Sequence, residues 1–282
     1  MLFRHKTNRA KNQESIQKKI DFTHLNEKYL KSYYQNIVNS ISQGEKLLAV
    51  LIDPDKMLMD TLPNFLKKIN ASVATHIFVG GSYVVANVTE ALVIEIKKYT
   101  TLPIILFPGD VTQLTNEADV ILFLSLISGR NPDYLIGKHV EAVPKLNEMQ
   151  LEVIPTGYVL IENGKITSVE KVTQTQPLKR GSIQTIVNTA KAGELLGMKL
   201  MYLEAGSGAI SPINPEIIKA VKQSLEIPLI VGGGIKSKTQ MQLAYDSGAD
   251  VVVIGTAFEE NEAFFEELKA PLSFGHFPKG EK

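Results

Sequence analysis

The chain has no cysteine, which excludes disulfides and thiolate metal sites and makes a reducing, cytoplasmic setting the expectation. It also lacks net charge, with 30 Lys and Arg against 30 Asp and Glu, so nucleic acid is not an expected partner. No apolar run approaches the roughly 20 residues that span a bilayer. The longest, Val120–Ile127, contains Ser125 and reads as a buried strand. The five histidines show no paired ligand spacing, which leaves zinc without a site. Near the N-terminus, Arg4, Lys6, Arg9, Lys11, Lys18 and Lys19 face only Glu14, with no signal-peptide core beside them. Residues 1–24 are therefore expected to form a basic, solvated tail, a composition that also suits peripheral contact with anionic lipid.

What is present is the material of one large α/β domain over residues 25–282. Hydrophobic residues make up 44% of the 282, enough to bury a substantial core. Eight β-rich apolar runs recur: Lys46–Ile52, His76–Val79, Ile104–Phe107, Val120–Leu124, Leu151–Ile154, Leu200–Leu203, Leu229–Val231 and Val251–Ile254. Near-continuous apolar strands alternating with helices indicate a parallel sheet covered by helices, and eight such repeats predict a closed (β/α)8 TIM barrel. Amphipathic patterns predict helices over Leu62–Asn70, Val88–Lys98, Tyr134–Leu146, Ile183–Leu196, Pro215–Ser224 and Thr239–Ser247, with Gly197 and Gly248 as C-caps. Between the third and fourth strands, Pro108–Asp119 is too short for a full covering helix, so one flank is expected to be open. After the fifth strand, Glu162-Asn163-Gly164-Lys165 between Tyr158–Ile161 and Ile166–Val169 predicts a hairpin, because Asn-Gly supplies the positive φ angles of a tight turn.

Chemistry in such a barrel collects where strands end. Strand six runs into Tyr202-Leu203-Glu204-Ala205-Gly206-Ser207-Gly208, strand seven into Gly232-Gly233-Gly234, and strand eight into Gly255-Thr256. Three small-residue loops converge there, and glycine lets backbone N–H groups approach an anion closely, so a phosphate site is expected. The Ser207 hydroxyl suits a phosphate donor rather than a nucleophile. Glu204 is a poor phosphate ligand but can take a proton from a neighbouring hydroxyl; a carboxylate paired with a rim lysine is the alternative. Asp53, ahead of Pro54 at the end of strand one, can hold Mg2+ with the Ser82 hydroxyl nearby, since Mg2+ needs few protein ligands beside substrate phosphates. The residues alone equally allow Asp53 as a loop cap. Lys56 and Arg130 are rim cations within reach of a diphosphate, or simply solvated.

Seven segments taken together resemble the geranylgeranylglyceryl phosphate synthases, barrel prenyltransferases of ether-lipid (phospholipid) biosynthesis. They are Leu51–Lys56, Gly80–Ser82, SLISGRNPDYLIG from Ser125, Pro155–Tyr158, YLEAGSGA from Tyr202, VGGGI from Val231, and Gly255-Thr256. The resemblance spans roughly residues 45–260. It implies a Mg2+-dependent prenyltransferase that joins an allylic prenyl diphosphate to the primary hydroxyl of sn-glycerol 1-phosphate and releases diphosphate. It further implies Asp53 and Ser82 at the metal, Glu204 as the hydroxyl-activating carboxylate, and a glycerol-phosphate site of Tyr202, Leu203, Glu204, Ala205, Gly206, Ser207, Gly208, Gly233, Gly234, Gly255 and Thr256. The short third connection matches the family's hydrocarbon groove. The bacterial heptaprenyl branch carries a lysine where this chain has Leu51, which favours geranylgeranyl diphosphate as the donor. No DDxxD segment points to the helical isoprenoid synthases. A flavin (FMN) or phosphosugar barrel, or a non-catalytic phosphate-binding barrel, would share the glycine loops but not the remaining segments. Barrel enzymes commonly associate, so a dimer or larger even assembly is expected, with Phe258, Phe264, Phe265, Phe274 and Phe277 available either to an interface or to the last helix.

Overall fold

The computed structural model describes residues 32–81, 88–255, 258 and 263–269. The expected tail (1–24), Ser82, Thr256, Phe274 and Phe277 lie outside the described residues. Eight strands, β1 (Leu47–Ile52), β2 (His76–Val79), β3 (Ile104–Leu106), β4 (Val120–Ser125), β5 (Glu152–Leu160), β6 (Leu200–Glu204), β7 (Leu229–Gly232) and β8 (Val251–Ile254), pair in parallel in chain order. The pairing of Leu47 with Val251 closes the barrel.

The side-chain period of two divides each strand between two apolar layers. Leu48, Val50 and Ile52 of β1 face the helices, while Leu47 and Ala49 fill the lumen. Each fully buried Leu, Ile or Val is worth roughly 1.5–3 kcal/mol relative to exposure. The outer layer is covered by α2 (Leu62–Asn70), α3 (Val88–Lys97), α4 (Lys138–Leu146), α6 (Ile183–Leu195), α7 (Pro215–Ser224) and α8 (Lys238–Asp246). As expected, Gly197 and Gly248 follow α6 and α8 with left-handed φ angles of 94° and 115°. Phe258, Phe264 and Phe265 of the C-terminal segment are buried, with Phe258 stacked on both others and Phe65 of α2 meeting Phe265 edge-on at 5.4 Å. These three rings belong to the barrel's own core.

A first helix, α1 (Tyr33–Ser42), stoppers the N-terminal end of the lumen. Its Ile37 is buried among Phe78, Ile105, Leu122, Leu200, Ile230 and Val251. The backbone N–H groups of Tyr33 and Tyr34 donate to the Glu152 carboxylate at the start of β5, at 2.5 and 3.2 Å, satisfying donors that a helix N-terminus leaves free.

The third connection is short, as expected: among its described residues a single 3-10 turn, Val111–Gln113, separates β3 from β4. The hairpin after strand five is a misreading. Tyr158–Leu160 continues β5 and pairs in parallel with Tyr202–Glu204, because β6 offers an open ladder that a local hairpin could not match. Thr167 then begins α5 (Ser168–Thr173) through a reciprocal capping box with Glu170, so the segment expected as the returning strand becomes helix. Replacing Ile37 by Ala is expected to cost about 2–5 kcal/mol, and Glu152 by Gln about 1 kcal/mol, read from chemical denaturation. Losses below about 0.5 kcal/mol, as for ordinary surface changes, would show that α1 is not part of the cooperative unit.

Candidate active site

The strand ends surround a polar cavity of about 320 Å3 whose lining includes Asp53, Lys56, Tyr158, Tyr202, Glu204, Ser207, Gly208, Gly233, Gly234 and Gly255. The β6 pattern explains its floor. Tyr202 and Glu204 are two apart and share the luminal side, whereas Leu203 packs with the outer layer. Glu204 is only 6% exposed. Burial pushes its carboxyl up from an ordinary 4.5 to about 7, against the opposing pull of hydrogen bonds from the Tyr202 hydroxyl and the Gly206 N–H. The Gly206 N–H lies 2.5 Å from Oε1.

Glycine is required where this carboxylate meets strand seven. Gly233 has φ +84°, and a Cβ there would collide with Glu204 Oε1 and with the backbone nitrogens of Ala205 and Gly206. The register sets Glu204 opposite Gly232, whose own missing side chain leaves room for the Tyr202 hydroxyl. Burial and the nearby Glu204 charge raise the Tyr202 phenol well above its usual range, so it stays a donor.

Across the cavity, Asp53 directly follows β1. Its Oδ1 accepts from the Asp55 N–H at 3.2 Å and its Oδ2 lies 3.4 Å from Lys56 Nζ. A Cβ on Gly81 would stand 2.9 Å from Asp53 Oδ1, so a side chain there would displace the carboxylate. Asp53 thus caps its own loop, and it also lines the cavity. Among the described residues, no group of three or more His, Cys, Asp or Glu side chains converges on a metal position.

Beside the polar cavity, along the short third connection, runs an apolar groove of about 120 Å3. Val111 and Leu114 form one wall, and Phe123, His139 and Ala142 another. Gly81, Phe107, Tyr158 and Val169 line both spaces, so the two adjoin. Phe107, Tyr158 and Tyr202 form a triangle of rings at this junction, with centroids 5.2–5.8 Å apart. A π-helical turn, Asp133–Gly137, leads into α4 and brings Tyr134 to the groove. Lys138 at the start of α4 reaches Asp110 beside the 3-10 turn at 2.9 Å.

The family model described as the PcrB family matches residues 41–271. The chain belongs to the PcrB family. Over 242 residues it is 52% identical to the geranylgeranylglyceryl phosphate synthase of Flavobacterium johnsoniae, covering 86% of this chain and all of that protein. The enzyme of the same name from Thermococcus gammatolerans is 40% identical over 217 residues, 77% of this chain and 85% of its own. Among solved structures, (S)-3-O-geranylgeranylglyceryl phosphate synthase from Thermoplasma acidophilum, in complex with its substrate sn-glycerol-1-phosphate, superposes with a TM-score of 0.79 at 29% identity. That match covers 85% of this chain and 96% of the other.

Of the residues singled out in this PcrB-family sequence, Asp53, Tyr202, Glu204, Ser207, Gly208, Gly233, Gly234 and Gly255 meet around one cavity. Leu203 and Ala205 are fully buried with the outer layer, so they offer a ligand only backbone. Gly206 presents its N–H to Glu204. Arg130 turns back to the Ile127 and Gly129 carbonyls of its own loop, because a guanidinium finds neutral acceptors there. Sequence reasoning missed Lys165, Ser168 and Lys236 near the rim. For the first two, the Thr167-x-x-Glu170 capping box was the signal that the segment folds onto the site.

Because the folded protein holds the Glu204 proton more tightly than the unfolded chain, its contribution to stability is fully present below about pH 4.5. It is lost as pH rises through about 7. The loss amounts to roughly 3 kcal/mol at 1.36 kcal/mol per pH unit. Glu204→Gln should therefore gain on the wild type in stability between pH 5 and pH 8, measured by chemical denaturation; a constant difference would contradict the raised value.

Proposed function

We propose that this protein transfers a prenyl group, geranylgeranyl, from its allylic diphosphate to the C3 hydroxyl of sn-glycerol 1-phosphate. The observation that carries the reading is the adjacency of a glycine-lined cavity holding a buried carboxylate and an apolar groove, with Phe107 and Tyr158 lining both. The glycine-lined cavity suits a small anion carrying a hydroxyl, and the groove suits a hydrocarbon joined to a charged leaving group. The names of the relatives and the glycerol phosphate bound in the Thermoplasma structure support the same pairing. A flavin would fill the glycine-lined cavity but leave the groove without a purpose.

In this reading the backbone N–H groups of the β6, β7 and β8 loops hold the acceptor's phosphate, fixing its hydroxyl near Glu204. The hydroxyl oxygen bonds to the allylic carbon as that carbon's bond to diphosphate breaks. The electron pair leaves with the diphosphate, and the hydroxyl proton passes to Glu204 Oε. A carboxyl with a pKa of about 7 suits this step, being largely ionised just above neutrality yet basic enough to accept the proton. The aromatic junction and the groove keep water from the reacting carbon. Asp53 fits a Mg2+ ion, since it faces the cavity and substrate oxygens can complete the shell. When bound, the ion neutralises the diphosphate and eases its departure.

Incubation with sn-glycerol 1-phosphate, Mg2+ and geranyl, farnesyl, geranylgeranyl or heptaprenyl diphosphate tests this directly. Diphosphate release should be fastest with geranylgeranyl diphosphate, and absence of release with every donor would refute the reaction. Glu204→Gln should lower kcat by on the order of a hundredfold while still binding glycerol phosphate. Asp53→Ala should lower turnover by about a thousandfold; wild-type turnover from that variant would remove the metal role.

A further inference from the structure

The segment that joins β5 to α5 closes over the loop that follows β6. Asn163 within it is buried and donates its side-chain amide to the Ala205 carbonyl, while its side-chain oxygen accepts from the Lys165 N–H at 3.2 Å. Two residues later, the buried Thr167 and its capping box anchor the start of α5. Gly206 completes the contact: with φ +97°, any Cβ there would run into Thr167 and Asn163. Held on both sides, Lys165 sets its ammonium over the glycine loop, where a Cβ built on Gly208 would stand 3.0 Å from Nζ. Gly208 itself lines the polar cavity.

The charge at that spot has no other evident use. Among the described residues no carboxylate pairs with the Lys165 ammonium, whereas Lys56 on the opposite rim is engaged with Asp53. The glycine loops offer a phosphate only neutral N–H donors. A phosphate dianion in a cavity that also contains Asp53 and Glu204 calls for cations beside the neutral donors, and of the two lysines that line it Lys56 is held by Asp53 and Lys236 follows the β7 glycines, which leaves the β6 side at Gly208 to Lys165. A lysine on a fixed turn at the edge of such a cradle supplies that point charge. We infer that Lys165 is a ligand of the acceptor's phosphate, closing the cradle over Gly208 and selecting a phosphorylated acceptor over a neutral polyol. This rests on the proposed use of the cavity for a glycerol phosphate.

Lys165→Met and Lys165→Arg, compared with the wild type in turnover and in calorimetric binding of inorganic phosphate, test the role. Lys165→Met should raise KM for sn-glycerol 1-phosphate and weaken phosphate binding by about tenfold each. It should leave KM for the prenyl donor and kcat at saturating acceptor within about twofold, and Lys165→Arg should restore most of the affinity. Phosphate affinity of Lys165→Met within about twofold of the wild type would overturn the inference, whatever happens to turnover. A wild type that releases no diphosphate from any donor would refute the reaction instead, and the phosphate comparison would still decide the role of Lys165.

Discussion

An ionisable carboxylate at the end of a barrel strand can stay out of water only if its surroundings supply donors and leave it space, and Glu204 imposes that condition on its own strand and the two beside it. Its own strand provides the Tyr202 hydroxyl and, just beyond, the Gly206 N–H. Strand seven must bring glycine to positions 232 and 233, because any side chain would strike the Tyr202 hydroxyl or Glu204 itself. Strand five aligns Leu160 with Glu204 and so places Tyr158 beside Tyr202, building the aromatic wall that keeps the carboxyl dry. The glycines are thus needed twice, to leave room for the carboxylate and to present N–H groups to an anion.

The same closed register explains why two unlike spaces adjoin. Strand alternation fills the lumen with Phe78, Tyr158 and Tyr202, so the barrel has no pore, and any ligand must lie across its C-terminal mouth. Helices flank most strands and would confine that mouth, but the short link from β3 to β4 leaves one side uncovered. Apolar residues of β4 and α4 line the resulting groove. The Lys138–Asp110 ion pair and the hydrogen bond from Lys145 Nζ to the Val111 carbonyl tie the 3-10 turn to α4, holding the groove's two walls together. A hydrophobic tail and a phosphorylated head can then be bound within one side chain of each other, at Phe107 and Tyr158.

Much of this was legible in the residues. Eight apolar runs gave the barrel, and the scarcity of residues between Pro108 and Asp119 gave the open flank, because chain length limits what a connection can contain. The convergence of Asp53, Glu204 and the glycine loops followed from the rule that barrel chemistry sits where strands end. The hairpin was misread because Asn163-Gly164 is a strong local turn signal, while the parallel partner that extends β5 lies some forty residues away, beyond any local pattern. That misreading also hid Lys165, whose position depends on Asn163 reaching Ala205. The N-terminal stopper was invisible for a similar reason: nothing local in Tyr33–Ser42 reveals that Glu152 will satisfy its first N–H groups.

The central claim is that burial tunes Glu204 into a base that works near neutrality. Carbon-13 NMR of side-chain carboxyls in the unliganded protein, with the Glu204 resonance identified by its loss in Glu204→Gln, reads this without interference from the titration of substrate phosphates. The account predicts a midpoint at about 7. A midpoint at the ordinary 4.5 would contradict it.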